Sequence, residues 1–277
     1  MHTRGISRRG LCQAAALTSL SALAPTGRPA VESDGMLDLE DPEDALTAMV
    51  KMRGSLVAED VPHWYAGTMY AVLPGRAPIP LVDFEGSEID YYERQPDGSY
   101  HAYAATVSLF RDTQTGKILD TFDNPITGER NEVRPNSISV NAYYVYSVKG
   151  FKRSDDPRPL PDMPGIHDQL KWLVSGDHVW LTMRRAYPPA VPMGEHQLVR
   201  GSLHALHDPD LPKVYTTGAP TYVSPWLEWL NMGDQPGHAV WVGPARKLDS
   251  IAEYPRQLLD YLEKNFPEKT TARPAGR

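Results

Sequence analysis

Two rhythms of apolar and polar residues run along this chain, and they mark out different elements. The segment "DPEDALTAMVKMRG", starting at Asp41, brings Leu46, Met49, Val50 and Arg53 to helical spacing. Asp41 suits an N-cap and Pro42 a first turn. Glu43 and Asp44 suit the positive end of the helix dipole, and Gly54 stops the helix. Between Trp64 and Phe151 the period shortens to two. "HWYAGTMYAVLPG" reads as a strand ending at Pro74-Gly75, and the residues after it alternate strand and turn. The turns are "PDG" at 96–98, "DTQTG" at 112–116 and "NPITG" at 124–128. The last two are near copies. Each opens on a residue whose side chain bonds its own following backbone, and each closes on a glycine able to take positive φ, as in a type I turn with a glycine bulge. "SISVNAYYVYSVKGF" reads as another long strand. Consecutive hairpins of this kind predict an antiparallel meander, and closing it into a barrel removes its exposed edges.

The second half alternates less regularly. "RSDDPRPLPDMPG", 153–165, reads as a proline-rich loop, "DHVWLTMRRAYP" as a strand and "HAVWVGPARKL" as another, while "EHQLVRGSLHALHDPDLP" fits neither rhythm cleanly. Near the end, Leu258, Leu259, Leu262 and Phe266 form one helical face. Ser250 and Glu253 match a capping box, but Pro255 conflicts with a helix begun at Ile251, so the helix is expected to start near Pro255. The fold expected is mainly β: an antiparallel meander closed into a lipocalin-like barrel, with an N-terminal and a C-terminal helix, over residues 41–270 as one domain.

The first thirty residues carry a different message. Arg8 and Arg9 precede an apolar run from Leu11 to about Ala24, small residues follow, and no acid appears before Glu32. This order is that of a twin-arginine export signal, 1–30, followed by a linker, 31–40; residues 271–277 read as a disordered tail. The expected address is periplasmic or secreted. The apolar run is too short for a stable membrane span. Cys12, the only cysteine, would leave with the signal, so no disulfide or thiol nucleophile is expected. Removing the signal's four arginines takes the formal charge from −7 to −11, which argues against nucleic acid and anionic membrane as partners. The chain's 26 prolines and 14 tyrosines argue for many turns and for strands rather than a helical bundle.

Candidate chemistry is sparse. No G-x-G-x-x-G, P-loop, G-x-S-x-G, H-E-x-x-H or C-x-x-C occurs, so no cofactor is expected. "HALHDPD" offers His204, His207, Asp208 and Asp210, but that spacing suits an exposed polar loop better than a metal site, and no metal is expected. Tyr70, Tyr103 and Tyr144 sit on proposed strands, and if the barrel is hollow, tyrosines on its inner face would line an amphipathic pocket. Arg111 alternates with Leu109, Val107 and Ala105, so it points to an apolar face and needs a partner or a ligand. Asn124 closes a neighbouring strand and could share its rim. The irregular stretch "SPWLEWLNMGDQPGH", 224–238, places Trp226 and Trp229 where a cavity mouth would lie. In the same stretch Asp234 and His238 form a possible acid–base pair.

Three longer motifs, "FRDTQTGKILDTFDNPITGE", "WLNMGDQPGH" and "KLDSIAEYP", resemble the bacterial domain-of-unknown-function 1838 family, with likeness running from about residue 40 to 270. The resemblance implies a lipocalin-type barrel and no assigned chemistry. Two functions are therefore expected in competition. The first is a cofactor-independent lyase, isomerase or dehydratase acting on a hydrophobic aromatic or polycyclic molecule. There His238 or Asp234 moves the proton, Arg111 stabilises an oxyanion, and Trp226, Trp229, Tyr70, Tyr103, Tyr144 and Asn124 hold the substrate. The second is a periplasmic lipocalin-like carrier using the same pocket without catalysis. Both take a hydrophobic small molecule as partner and leave the oligomeric state open.

Overall fold

Asp41 caps the first helix as its side chain predicts, accepting the N–H groups of Glu43 and Asp44 at 2.9 and 3.1 Å, and α1 (Pro42–Arg53) follows. The computed structural model describes residues 36–139, 143–154, 165–186 and 194–273, all within one compact unit, Gly35–Arg277. The expected export segment and residues 31–35 lie outside the described residues, as do 274–277. Thr271 and Ala272, from the expected tail, are hydrogen-bonded to Asp60.

The protein is mainly β; among the described residues the strands pair antiparallel and four α-helices occur. Strands β1 (Asp60–Val72), β2 (Ile79–Arg94) and β3 (Tyr100–Arg111) form the expected meander. The two copied turns follow. Asp112 Oδ1 accepts Gln114 and Thr115 N–H, Asn124 Oδ1 accepts Ile126 N–H, and Gly116 and Gly128 take φ of 69° and 75°. The first turn precedes a small separate hairpin, and the second is the loop of that hairpin, joining β4 (Thr121–Asp123) to β5 (Arg130–Glu132).

Beyond this point the alternation runs through breaks that the backbone makes. The long strand expected over 137–151 is instead β6 (Asn136–Ser139), β7 (Tyr144–Ser147) and a returning β8 (Gly150–Arg153), because Val148-Lys149 turns the chain and Gly150 takes φ 116°. Short helix α2 (Ile166–Gln169) leads into β9 (Leu170–Ser175), a strand the sequence pattern did not single out, and then β10 (His178–Ala186). The ambiguous segment resolves into β11 (Gly194–Ser202) and α3 (Leu203–His207), with Ser202 capping the helix. Next come β12 (Thr217–Gly218) and β13 (Thr221–Ser224), two pieces of one strand interrupted near Pro220. "HAVWVGPARKL" is likewise two strands, β14 (His238–Val242) and β15 (Ala245–Lys247). They part at Gly243-Pro244, where Pro244 has no N–H and Gly243 lies so close to β1 that a Cβ would strike the Ala66 carbonyl. The capping box of Ser250 and Glu253 closes a 3-10 turn, Ile251–Glu253, and a separate α4 (Arg256–Asn265) begins after Pro255, so both sequence signals hold.

The strands succeed one another as β9–β10–β11, then β12 with β13, β14 with β15, β1–β2–β3, and finally β6 with β7 and β8. Among the described residues the sheet carries three apolar clusters. One joins α1, Leu170, Val179, Leu181 and Leu206 to Tyr92, Tyr100 and Tyr146. A second joins Met69, Phe84, Phe110 and Trp241 to Leu230 and Met232. A third lies on the opposite face of β3, where Val107 and Leu109 pack against Leu258, Leu259 and Leu262 of α4.

Candidate functional site

Between the first two clusters lies a cavity of about 200 Å³. Its lining includes Tyr92, Ala102, Tyr146 and Val199 from one cluster and Phe84 and Trp241 from the other. Strand register builds it. Thr106, Glu88, His63 and Lys247 stand opposite one another on β3, β2, β1 and β15, and all four line the cavity. The next row is Ser108, Gly86, Tyr65, Ala245 and Gly218. Gly86 is needed there, because a Cβ at that position would lie 2.5 Å from the Tyr65 hydroxyl. Without one, the Tyr65 ring crosses β2 and its hydroxyl reaches Ser108 Oγ at 2.8 Å and the Val107 carbonyl at 3.3 Å. Burial raises the Tyr65 hydroxyl above the usual tyrosine range, so it stays protonated.

One end of the cavity is ionic. Arg53, in the last turn of α1, donates to Glu88 at 2.7 Å and to Asp90 at 3.2 Å. His63 Nε2 stands 3.0 Å from the Arg53 carbonyl and 3.6 Å from Asp90 Oδ2. Burial, reinforced by the Arg53 charge, holds His63 down at about 3, so it is neutral at ordinary pH. Lys247 Nζ donates to the carbonyls of Lys51 at 2.9 Å and Gly54 at 2.8 Å, at the C-terminal end of α1. Burial lowers Lys247 well below the usual lysine range. The other wall is aromatic. Glu195 stands opposite Tyr222, and Tyr222 opposite Trp241; Tyr144 and Tyr146 face them from β7. Gln197 Nε2 donates to Glu195, while Gln197 Oε1 is buried with no hydrogen-bond partner among the described residues.

The residues singled out by sequence fall in several places. Tyr144 lines the cavity. Arg111 does share a face with Leu109 and Val107, but that face is covered by α4. Its guanidinium is held by Glu85 at 2.5 and 3.1 Å, by the Gly116 carbonyl and by Gln257. Asn124 is buried and ties its turn to the Leu230 carbonyl at 2.8 Å. Trp226 donates to the Gln235 carbonyl, and Trp229 packs against Phe110 and Phe122. With Leu230 and Met232 they close the second cluster, so the 224–238 stretch plugs one end of the sheet. Asp234 is exposed in a turn, and His238 pairs with Val72 on the face opposite Ala239 and Trp241. Tyr103 contacts Tyr91 and Tyr143. Arg111, Asp234, His238, Tyr70, Tyr103, Asn124, Trp226 and Trp229 are not among the cavity's lining residues.

Sequence reading missed Arg53, His63, Glu88, Asp90 and Lys247. A signal for two of them was present: Glu88 and Asp90 are acids at i and i+2 inside a sixteen-residue strand. His207, on α3, accepts the Leu37 N–H at 3.0 Å, and no group of three or more metal-binding side chains occurs among the described residues. No helix among the described residues is long and apolar enough to cross a membrane.

A family model described as "Protein of unknown function (DUF1838)" matches residues 58–156 and 194–276. No curated protein matches the chain. Among solved structures, the Aeromonas veronii immune modulator A is similar at 10% identity, covering 74% of this chain and 100% of that one, with a TM-score of 0.13. At that score the likeness carries no argument.

Proposed function

We propose, for a chain that belongs to the DUF1838 family and takes no activity from it, that the protein is a lipocalin-like small-molecule binder. Its curved sheet acts as a barrel wall around one ligand with an aromatic or apolar body. The observation that carries this reading is how the cavity's charges are used. Arg53 serves Glu88 and Asp90, Lys247 serves two main-chain carbonyls, and His63 stands at the Arg53 carbonyl. These groups hold the fold, and tyrosine and tryptophan rings supply the contact surface. The cavity's size suits a molecule nearer one ring than several. The Arg8-Arg9 pattern and the apolar run after it support export through the twin-arginine pathway, with binding in the periplasm or outside the cell.

A second reading, a cofactor-independent acid–base lyase or isomerase, is favoured by the approach of His63 to Asp90. One experiment separates the two. The protein is incubated with a bacterial metabolite extract beside Ala104→Trp, which fills the cavity, and Ala104→Leu, which fills it less. A compound retained by the wild type and released by both variants supports binding. A compound consumed by the wild type but not by His63→Gln supports the enzyme. Retention unchanged in both Ala104 variants overturns the cavity as the site.

A further inference from the structure

One uncharged side chain in the cavity wall is only half used. Gln197, on β11, shares a strand face with Val199 and alternates with the exposed His196 and Leu198. Met183 stands opposite it on β10, and Val199 continues the row of Gly218, Ala245 and Tyr65. An amide is thus set among apolar neighbours, and it is 4% exposed. Its Nε2 donates to Glu195. A carboxylate oxygen accepts, so that bond fixes which way round the amide lies. Oε1 is left on the other side, with no hydrogen-bond partner among the described residues. Buried carbonyl oxygens ordinarily have a donor, so an orphan in a cavity wall calls for one from outside the fold. Neighbouring donors of the wall are committed to the main chain. Lys247 serves the Lys51 and Gly54 carbonyls, Thr216 Oγ1 the Met52 carbonyl at 3.2 Å, and His63 Nε2 the Arg53 carbonyl.

We propose that Gln197 is the specificity-determining residue of the cavity, its Oε1 accepting a hydrogen bond from a hydroxyl group carried on the ligand's aromatic or apolar body. This rests on the cavity being the binding site. One acceptor suits one donor: a hydroxyl brings one, whereas an ammonium brings three and would leave two among apolar neighbours. A ligand of the same size without the hydroxyl fills the same space but leaves Oε1 orphaned. The cavity therefore separates two molecules of one shape by a single polar contact.

Calorimetric titration of the protein with three probes of one size tests this. They are 2-phenylethanol, its isomer benzyl methyl ether, which has no O–H, and propylbenzene, in which a methyl group replaces the hydroxyl. The alcohol is expected to bind about three- to tenfold more tightly than either, the margin of one net hydrogen bond between neutral groups. Gln197→Met keeps the side chain's length and removes the acceptor. It is expected to abolish the alcohol's advantage and to leave the ether's affinity unchanged, which shows the cavity intact. Because this variant also takes a donor from Glu195, its thermal unfolding is measured beside its affinity. Gln197→Asn, which keeps an amide but withdraws it by one methylene, is the second variant, with the same outcome expected. The ether or propylbenzene binding the wild type as tightly as the alcohol does, or the advantage surviving in both variants, overturns the role of Gln197 while keeping the cavity as the site. Failure of all three probes, in the wild type as in Ala104→Trp, overturns both.

Discussion

Glu85 and Glu88 stand three residues apart on β2 and face opposite sides of the sheet. Each is held by an arginine: Glu85 by Arg111 at 2.5 Å, Glu88 by Arg53 at 2.7 Å. On the outer side the pair is sealed by Gln257 of α4 and the Gly116 carbonyl, and Trp64 Nε1 also donates to Glu85. On the inner side the pair borders a cavity, shares its arginine with Asp90, and has a neutral histidine and a buried lysine as neighbours. Similar chemistry thus serves two ends. Where a helix covers the sheet, an ion pair is a fastening. Where the sheet borders a cavity, an ion pair to the last turn of α1 shapes the wall of that cavity.

The difference is sharpest against pH. His63 has a folded value of about 3 and an unfolded value near 6.5, so the unfolded chain takes its proton first as the solution is acidified. Stability is complete above about pH 6.5 and falls as pH drops from there toward 3, by on the order of 5 kcal/mol if that site acts alone. His63→Gln cannot titrate, and its urea midpoint is expected to stay level between pH 6.5 and 5 while the wild type's declines. Parallel curves would remove His63 from the account of the inner face.

Breaking the two pairs comes next in size. Arg53→Met removes the guanidinium that buried Asp90 and half-buried Glu88 share, and is expected to cost about 3–5 kcal/mol in urea unfolding. Arg111→Met affects one carboxylate, Glu85, which keeps the Trp64 donor, and about 1–3 kcal/mol is expected. Equal losses would mean that the two faces hold their charges alike. Gly86→Ala drives a methyl group into the Tyr65 ring, with an expected cost of about 1–3 kcal/mol. It should also weaken binding of the neutral probe 2-(4-bromophenyl)ethanol, whereas Gln257→Ala, on the outer face, leaves binding unchanged. Smallest of all, Asp234→Asn and His238→Ala, both away from the cavity lining, are each expected to shift stability by no more than about 0.5 kcal/mol and to leave probe binding intact.

Local chemistry made much of the architecture legible. Asp41 with Pro42, the twin turns at Asp112 and Asn124, and Pro255 marked element ends through backbone bonds that depend on a few neighbouring residues. The interruptions were harder. Gly243-Pro244 divides a strand because β1 approaches there, and Val148-Lys149 turns because Gly150 permits it. Both depend on residues that an alternating pattern passes over. The site was least legible, for a physical reason. Alternation assigns apolar positions to the interior, but along β2 the positions facing the cavity are Phe84, Gly86, Glu88, Asp90 and Tyr92, while Ile89 lies on the opposite face. Arg53 belongs to a helix and Lys247 to a strand almost two hundred residues later, so only folding brings them together. The sequence pattern placed Arg111 on the correct face, but α4 turns that face into a covered one.

The most direct test of the inner face as the binding site is an anomalous-scattering map of crystals soaked in 2-(4-bromophenyl)ethanol, a neutral probe whose position does not depend on the charge of the natural ligand. The bromine peak is expected inside the cavity, among Tyr65, Tyr144, Tyr222 and Trp241. A peak beside Arg111 and Gln257 on the outer face, with the cavity unoccupied, would contradict it.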